Sequence, residues 1–262
     1  MIIDIKKPIV LFALLLSMQF SYSQLGFSHE VGIITGPVAF QSDFGERNDF
    51  ETNSGNTGFG IGIVYYMNFD YLTNYYYNSA SNYFTDHFKV RAEISWNKTK
   101  LNHFGKWVDA ERTGTSADKL RAHSGEAQNW NLGAQLEYYP LSIKGFSQGA
   151  FPVTPFGSFG LHYVSYNPTT QTSYGDQNID NFNNFYPQWE PGSIDDTSGS
   201  AWSVVASVGA RYKLTILSDL MIDLRFQQFF NDSIDGLDHQ LASNKANDWL
   251  LWLNFGYIYY FD

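Results

Sequence analysis

The strongest constraint on this chain is a period-two alternation of apolar and polar residues that recurs in about eight stretches. In the stretch HFKVRAEISWN, apolar side chains occupy every second position from Phe88 to Trp96. The positions between them carry Lys89, Arg91 and Glu93. Because successive side chains of a β-strand point to opposite faces, this pattern predicts a strand with one apolar and one charged face.

Further alternating stretches occupy residues 28–36, 58–66, 129–139, 154–166, 201–214, 219–227 and 248–261. Their apolar faces are about 9–13 residues long, which suits the roughly 9–11 residues that a tilted strand needs to cross a bilayer. A soluble β-sandwich also alternates and is the main alternative. Charges in the middle of the polar faces, with Trp and Tyr near the strand ends, favour a polar lumen and outer aromatic girdles. We therefore predict an all-β fold, a single closed antiparallel transmembrane β-barrel of eight strands and of the outer-membrane type.

Composition agrees with short amphipathic strands. Aromatic residues make up 18% of the chain and charged residues 16%, and there is no cysteine. The lack of cysteine excludes disulfides, thiolate metal sites and lipid attachment to a cysteine. The formal net charge of −10 argues against nucleic acid, which needs a basic surface.

The N-terminus predicts export. Lys6 and Lys7 precede an apolar run from Ile9 to Met18, and small residues stand at Ser21 and Ser23. This order is typical of a secretory signal peptide over residues 1–23, followed by a barrel domain over residues 24–262. A membrane anchor is the alternative, but the run is shorter than the roughly 20 residues that a spanning helix needs. The expected location is the bacterial outer membrane, in contact with its lipid, after export through the inner membrane and cleavage of the signal.

With both termini on the periplasmic side, the outer loops are predicted at residues 40–57, 98–128, 167–200 and 231–247. The inner turns are predicted at 67–84, 140–153 and 215–218. The first of these turns is long and carries the tyrosines Tyr71, Tyr75, Tyr76, Tyr77 and Tyr83. Tyrosine is enriched at protein interfaces, so this segment is a candidate docking surface for a periplasmic protein partner. An uncommitted loop is the simpler alternative.

The last strand resembles the C-terminal signal of bacterial outer-membrane barrels. The residues at its four defining positions are Asn254, Gly256, Tyr259 and Phe261, although Asp262 follows the final aromatic residue. The resemblance implies recognition by the barrel-assembly machinery, which accepts an edge strand by β-augmentation.

Charges on the predicted inner faces form a candidate lumen cluster, with members Lys89, Arg91, Glu93, Glu137, Arg211, Asp223 and Arg225. An eight-stranded barrel is only wide enough for side chains to fill, and buried charges must pair. The cluster therefore predicts a salt-bridged plug, with a narrow pore for small solutes as the alternative.

No catalytic, cofactor or metal site is predicted. Asp176, Asn178 and Asp180 are spaced as in a calcium loop, but Asn181 replaces the required glycine and Pro187 the required glutamate. A solvated acidic loop is the favoured interpretation. His162 and Ser165 fall on opposite faces of one strand, so they cannot act as base and nucleophile.

Over most of the mature length, the chain resembles small outer-membrane barrels of the Bacteroidota. The similarity lies in EVGIITG, FKVRAEISW, LRAHSGEAQNWNLGAQLEYYPL and PFGSFG. The layout is similar to the PorG-like barrel, and this resemblance implies an association with the type IX secretion system. Two functions therefore stand as expectations. One is a non-enzymatic structural or docking barrel of the envelope, and the other is a barrel that handles small solutes or lipids.

Overall fold

A computed structural model of the chain describes residues 28–46, 49–69, 83–239, 241–242 and 247–261. The predicted signal peptide at residues 1–23 lies outside this range. So do four of the five predicted docking tyrosines, Tyr71, Tyr75, Tyr76 and Tyr77.

Nine β-strands make up most of the described chain. They are β1 (Ser28–Gln41), β2 (Thr57–Asn68), β3 (Phe88–Asn102), β4 (His123–Tyr138), β5 (Val153–Tyr166), β6 (Thr169–Thr172), β7 (Gly199–Thr215), β8 (Ser218–Phe229) and β9 (Trp249–Phe261). All pair antiparallel with their neighbours.

Eight of these strands close into a barrel. β1 pairs with β9, so that Ile33 lies opposite Tyr257, and β3 pairs with β4, so that Ile94 lies opposite Leu132. The short strand β6 adds to the far end of β4, where Thr172 lies opposite His123. The prediction of a closed eight-stranded antiparallel barrel is confirmed, and the sandwich alternative is wrong because a sandwich would leave β1 and β9 as separate edges.

The two faces of each strand separate as the alternation predicts. The outward side chains include large exposed apolar groups from every long strand, among them Ile33, Ile63, Ile94, Leu132, Leu161, Val208, Leu224 and Phe255. The inward side chains are buried and largely polar. An apolar band outside and polar groups inside are the properties of a barrel embedded in a bilayer.

Glycines in β2 face inward where large lumen side chains come close. A Cβ atom at Gly60 would lie 2.4 Å from Cζ2 of Trp252, and one at Gly62 would lie 2.6 Å from Cβ of Ser95. The GFGIG stretch therefore makes room for the lumen contents, and it is not a nucleotide-binding turn.

The connections lie at two ends. The inner end carries the chain termini of the barrel, the tight turn between Thr215 and Ser218, and the short helices α1 (Tyr83–His87) and α3 (Ile143–Ser147). The outer end, which we call the outer mouth, carries helix α2 (Thr115–Ala122), strand β6 and three 3-10 turns at Phe50–Asn53, Gly105–Trp107 and Phe182–Asn184. Among the described residues, no helix has the length and apolar character to cross a membrane.

Two predicted loops contain strand residues. The loop 98–128 is strand at both ends, because β3 continues to Asn102 and β4 begins at His123, and the loop 167–200 contains β6 and the start of β7. The ladder continues through polar pairs such as Lys100 opposite Glu126. Backbone hydrogen bonds need no apolar face, so strands that rise above the bilayer lose their hydropathy signal without losing their pairing.

Candidate functional site

The structure brings the seven predicted lumen charges together inside the barrel. All seven are at most 2% exposed, and they come from β3, β4, β7 and β8. Glu30 of β1 and Asp219 of β8, which were not among the predicted members, join the same group of ion pairs. Both occupy inward positions in the alternating pattern of their strands, so the alternation could have identified them as lumen residues. We call these nine residues, together with Lys213, the lumen network.

Glu93 is the acceptor at the centre of this network. Its two carboxylate oxygens accept hydrogen bonds from Nη1 and Nη2 of Arg225, each at 2.6 Å. Oε2 of Glu93 also accepts a hydrogen bond from Nη2 of Arg91 at 3.0 Å. Such fork-to-fork geometry is the strongest arrangement of a carboxylate and a guanidinium group.

Arg91 and Arg211 carry the network towards the inner end. Nη1 of Arg91 lies 2.9 Å from Oδ2 of Asp223 and 3.4 Å from Oε1 of Glu137. Arg211 joins Oε2 of Glu137 at 3.3 Å and Oε2 of Glu30 at 2.6 Å. Glu30 in turn pairs with Lys89.

Arg225 and Glu137, both predicted members of the cluster, do not pair directly. Arg225 reaches Glu93, whereas Glu137 lies between Arg91 and Arg211 and also accepts a hydrogen bond from Tyr139 at 2.6 Å. The sequence shows which side chains point inward, but it does not show how strands on opposite walls are aligned.

The lumen network is balanced in charge and closely packed. Five carboxylates face five cationic groups, so no net charge is left buried. Aromatic rings cover two of the guanidinium groups: Tyr66 lies 4.1 Å from Arg211, and Trp252 lies 4.9 Å from Arg225. Ion pairs and rings thus bridge opposite walls of the barrel interior.

The four residues of the predicted C-terminal assembly signal divide between the inward and outward faces of β9. Asn254 and Gly256 point inward, where Nδ2 of Asn254 donates to Oδ1 of Asp223 at 2.6 Å. Tyr259 and Phe261 point outward and are exposed, with their rings 5.5 Å apart. The role of these residues in barrel assembly stays a prediction.

Tyr83 is the one predicted docking tyrosine within the described range. It is exposed on α1, its hydroxyl lies 2.8 Å from that of Tyr138, and its ring stacks on His87. Hydrogen bonds join α1 to α3 at the inner end. Oδ1 of Asp86 accepts hydrogen bonds from the Ser142 hydroxyl and from the backbone N–H of Lys144.

The outer mouth is covered by loops that pack an aromatic cluster over the barrel. Phe44 stacks on the ring of His103 and on that of His123, and Trp189 packs against both histidines. Nε2 of His103 lies 2.8 Å from Nδ1 of His123. A cavity of about 200 Å³ lies beside this cluster, lined in part by Asp43, Trp107 and Tyr186.

Carboxylates gather next to the aromatic cluster, and the sequence analysis missed them. We call Asp43, Asp232, Asp235, Asp238 and Asp248 the carboxylate cluster. Burial, reinforced by the neighbouring Asp235 and Asp232, raises the pKa of Asp43 to about 10. Burial likewise raises the pKa of Asp235 to about 7 and that of Asp232 to about 6.

The pairing of β1 with β9 explains part of this gathering. Gln41 lies opposite Trp249, so Asp43 and Asp248 leave the barrel wall side by side. A predicted pairing of the first and last strands would therefore have placed Asp43 close to Asp248.

No family model matches the chain, and no curated protein matches it. Among solved structures, the chain is similar to a major outer membrane protein from Thermus thermophilus, with a TM-score of 0.47, 17% identity, and coverage of 89% of this chain and 99% of that chain. It is also similar to Neisserial surface protein A, with a TM-score of 0.42, 11% identity, and coverage of 90% and 98%. For outer membrane protein OprG from Pseudomonas aeruginosa the values are 0.40, 12%, 89% and 95%. These likenesses concern the fold alone.

Proposed function

We propose that this chain is a non-enzymatic outer-membrane barrel that does not conduct solutes and serves as a structural or docking component of the envelope. The lumen network carries the proposal. Charges from β1, β3, β4, β7 and β8 pair across the interior, and none of the seven predicted members is more than 2% exposed. Opening a path would strand buried charges, which typically costs about 3–5 kcal/mol for each broken pair.

Conductance in planar lipid bilayers tests the closed lumen. We expect the purified, folded protein to give no conductance steps above the protein-free bilayer, with or without the connection between β5 and β7, which we call loop 167–198. The trimmed variant serves as a control, because it removes an outer covering and leaves the lumen network intact. Reproducible steps from the intact protein would overturn the proposal and favour a narrow pore.

The docking role rests on the inner end. Exposed Tyr83 and the joined α1 and α3 connections provide a surface larger than a barrel turn needs. Because the chain resembles the PorG-like barrels of the Bacteroidota, we propose that it binds a periplasmic component of the type IX secretion system.

Serine substitution of Tyr71, Tyr75, Tyr76, Tyr77 and Tyr83 should abolish cross-linking to that periplasmic partner while leaving membrane insertion unchanged. Trimming of loop 167–198 should leave the cross-link intact. Loss of the cross-link only in the trimmed variant would place the contact at the outer mouth and contradict the proposal. Protease accessibility on whole cells must establish which end faces outward.

The cavity at the outer mouth favours a second candidate, a barrel that binds a small solute or lipid. Its lining combines aromatic rings with Asp43 and Glu46, which suits a ligand with an apolar body and a polar group. The two candidate functions predict different effects of a substitution in the cavity. Filling the cavity from its lining residue Leu241, by Leu241→Trp, should weaken solute binding under the second candidate and leave partner cross-linking unchanged under the first.

A further inference from the structure

We propose that the carboxylate cluster at the outer mouth binds a calcium ion that ties the β1–β2 loop to the β8–β9 loop. Asp43, Asp232 and Asp238 each offer a ligand atom, and these atoms all lie within 4.8 Å of one another. Calcium holds oxygen ligands at about 2.3–2.6 Å, so two of its ligands are at most about 5 Å apart. One ion can therefore contact all three carboxylates.

Buried oxygen atoms without hydrogen-bond partners support a cation at this position. Oδ1 of Asp43 and both side-chain oxygens of Asp248 have no hydrogen-bond partner among the described residues, although the two residues are only 2% and 1% exposed. Buried polar atoms in proteins nearly always have a partner, and buried charges are paired or coordinate a metal. Asp248 lies close enough to Asp235, Asp43 and Asp232 to interact electrostatically with each of them.

His239 does not neutralise Asp43, although its ring lies beside that carboxylate. Nδ1 of His239 lies 3.8 Å from Oδ2 of Asp43, but this nitrogen accepts a hydrogen bond from the backbone N–H of Leu241 at 3.1 Å. It therefore carries no proton towards Asp43. Within the described part of the chain, no Lys or Arg forms an ion pair with Asp43, Asp232, Asp235 or Asp248.

Asp235 has a separate task, which is to position the loops. Its Oδ2 accepts from the backbone N–H of Asp43 at 3.0 Å, and its Oδ1 accepts from that of Leu237 at 2.8 Å. The backbone N–H of His239 donates in turn to Oδ2 of Asp43 at 3.1 Å, which leaves Oδ1 of Asp43 for the ion. These bonds hold the two loops together and keep Asp43 next to the carboxylates of the β8–β9 loop.

The ligand set favours calcium over magnesium. Three carboxylates offer ligand atoms here, and calcium accepts six to eight oxygens in flexible geometry. Magnesium usually keeps several waters and takes only one or two carboxylates. No thiolate is present anywhere in the chain, and softer metals prefer sulfur and nitrogen ligands.

Titration calorimetry with calcium chloride, on folded protein freed of metal by chelation, tests the proposal. The intact protein should bind one calcium ion more tightly than it binds magnesium. We expect Asp232→Asn and Asp43→Asn each to weaken calcium binding about tenfold or more, because ligand charge sets calcium affinity. Asp232 is half-buried, so its variant keeps the test available if Asp43→Asn does not fold.

Asp176→Asn is the matched control. Asp176 lies in the acidic loop of the outer mouth, but it is exposed and its oxygens already accept hydrogen bonds from Asn178, Asn181 and Asn184. This variant should bind calcium as the intact protein does. Absence of calcium binding to the intact protein, or equal weakening by all three variants, would overturn the proposal.

A second outcome would also overturn it. If the aspartates share protons instead of a cation, Asp43→Asn should raise the melting temperature in chelator, and calcium should not change that of the intact protein. None of these results depends on whether the barrel conducts or docks a partner, so the two proposals fail separately.

Discussion

Removal of Glu93 from the lumen network tests whether the barrel is held closed by buried ion pairs. Glu93→Leu leaves Arg225 without its carboxylate partner, whereas Arg91 keeps Asp223 at 2.9 Å and Glu137 at 3.4 Å. Breaking a buried pair from one side typically costs about 3–5 kcal/mol, because the remaining charge stays in a poorly solvated place. Arg225→Met strands Glu93 less completely, since Arg91 still donates to it at 3.0 Å.

The double variant should cost less than the sum of the single variants. With both charges replaced by apolar side chains, neither partner is left stranded, and such replacements are often near neutral. Residues in one ion-pair network typically couple by about 0.5–3 kcal/mol, and we expect the upper end of that range, about 3 kcal/mol, for this buried pair.

Urea unfolding from phospholipid vesicles, followed by tryptophan fluorescence and heat-modifiable gel migration, measures these free energies. Lys98 and Glu126 form the control pair, because they lie 2.6 Å apart with side chains 39% and 35% exposed. Exposed pairs couple by about 0.2–1 kcal/mol. Additivity within about 0.5 kcal/mol for Glu93 and Arg225 would refute the reasoning and indicate a hydrated lumen.

Three further predictions concern packing, assembly and pH. Gly60→Ala should destabilise the barrel by about 1–3 kcal/mol through contact with Trp252, whereas Gly157→Ala, where the nearest atom is 3.8 Å away, should be tolerated in the same unfolding assay. Phe261→Ala should slow barrel insertion in cells yet leave refolding into vesicles nearly unchanged, because its side chain faces lipid; equal loss in both assays would argue for a purely structural role. Burial lowers the pKa of His103 to about 3, so the unfolded chain takes up a proton there before the folded one does. Stability should therefore fall as pH decreases from about 6.5 towards 3, and His103→Gln should show a smaller fall; an equal fall would assign the acid sensitivity to other groups.

The alternation of residues by itself determined the strands, their two faces and the inward direction of the seven lumen charges. Strand geometry is local, since each side chain points opposite to its neighbour whatever the rest of the chain does. The same rule placed Asn254 and Gly256 inside and Tyr259 and Phe261 outside. It failed at residues 98–102 and 123–128, where the outward face is polar while the backbone ladder continues.

Only the tertiary structure decided which charges pair and where carboxylates meet. Arg225 reaches Glu93 because closure of the barrel sets β8 opposite β3 at a particular height, a relation that neither strand encodes alone. The backbone N–H of Asp43 meets the carboxylate of Asp235 across 192 positions of sequence for the same reason, since β1 and β9 become neighbours only when the sheet closes. The face to which a side chain points depends only on its position in the alternation along one strand. Which side chains touch across the lumen or between loops depends on the alignment of the strands around the whole barrel.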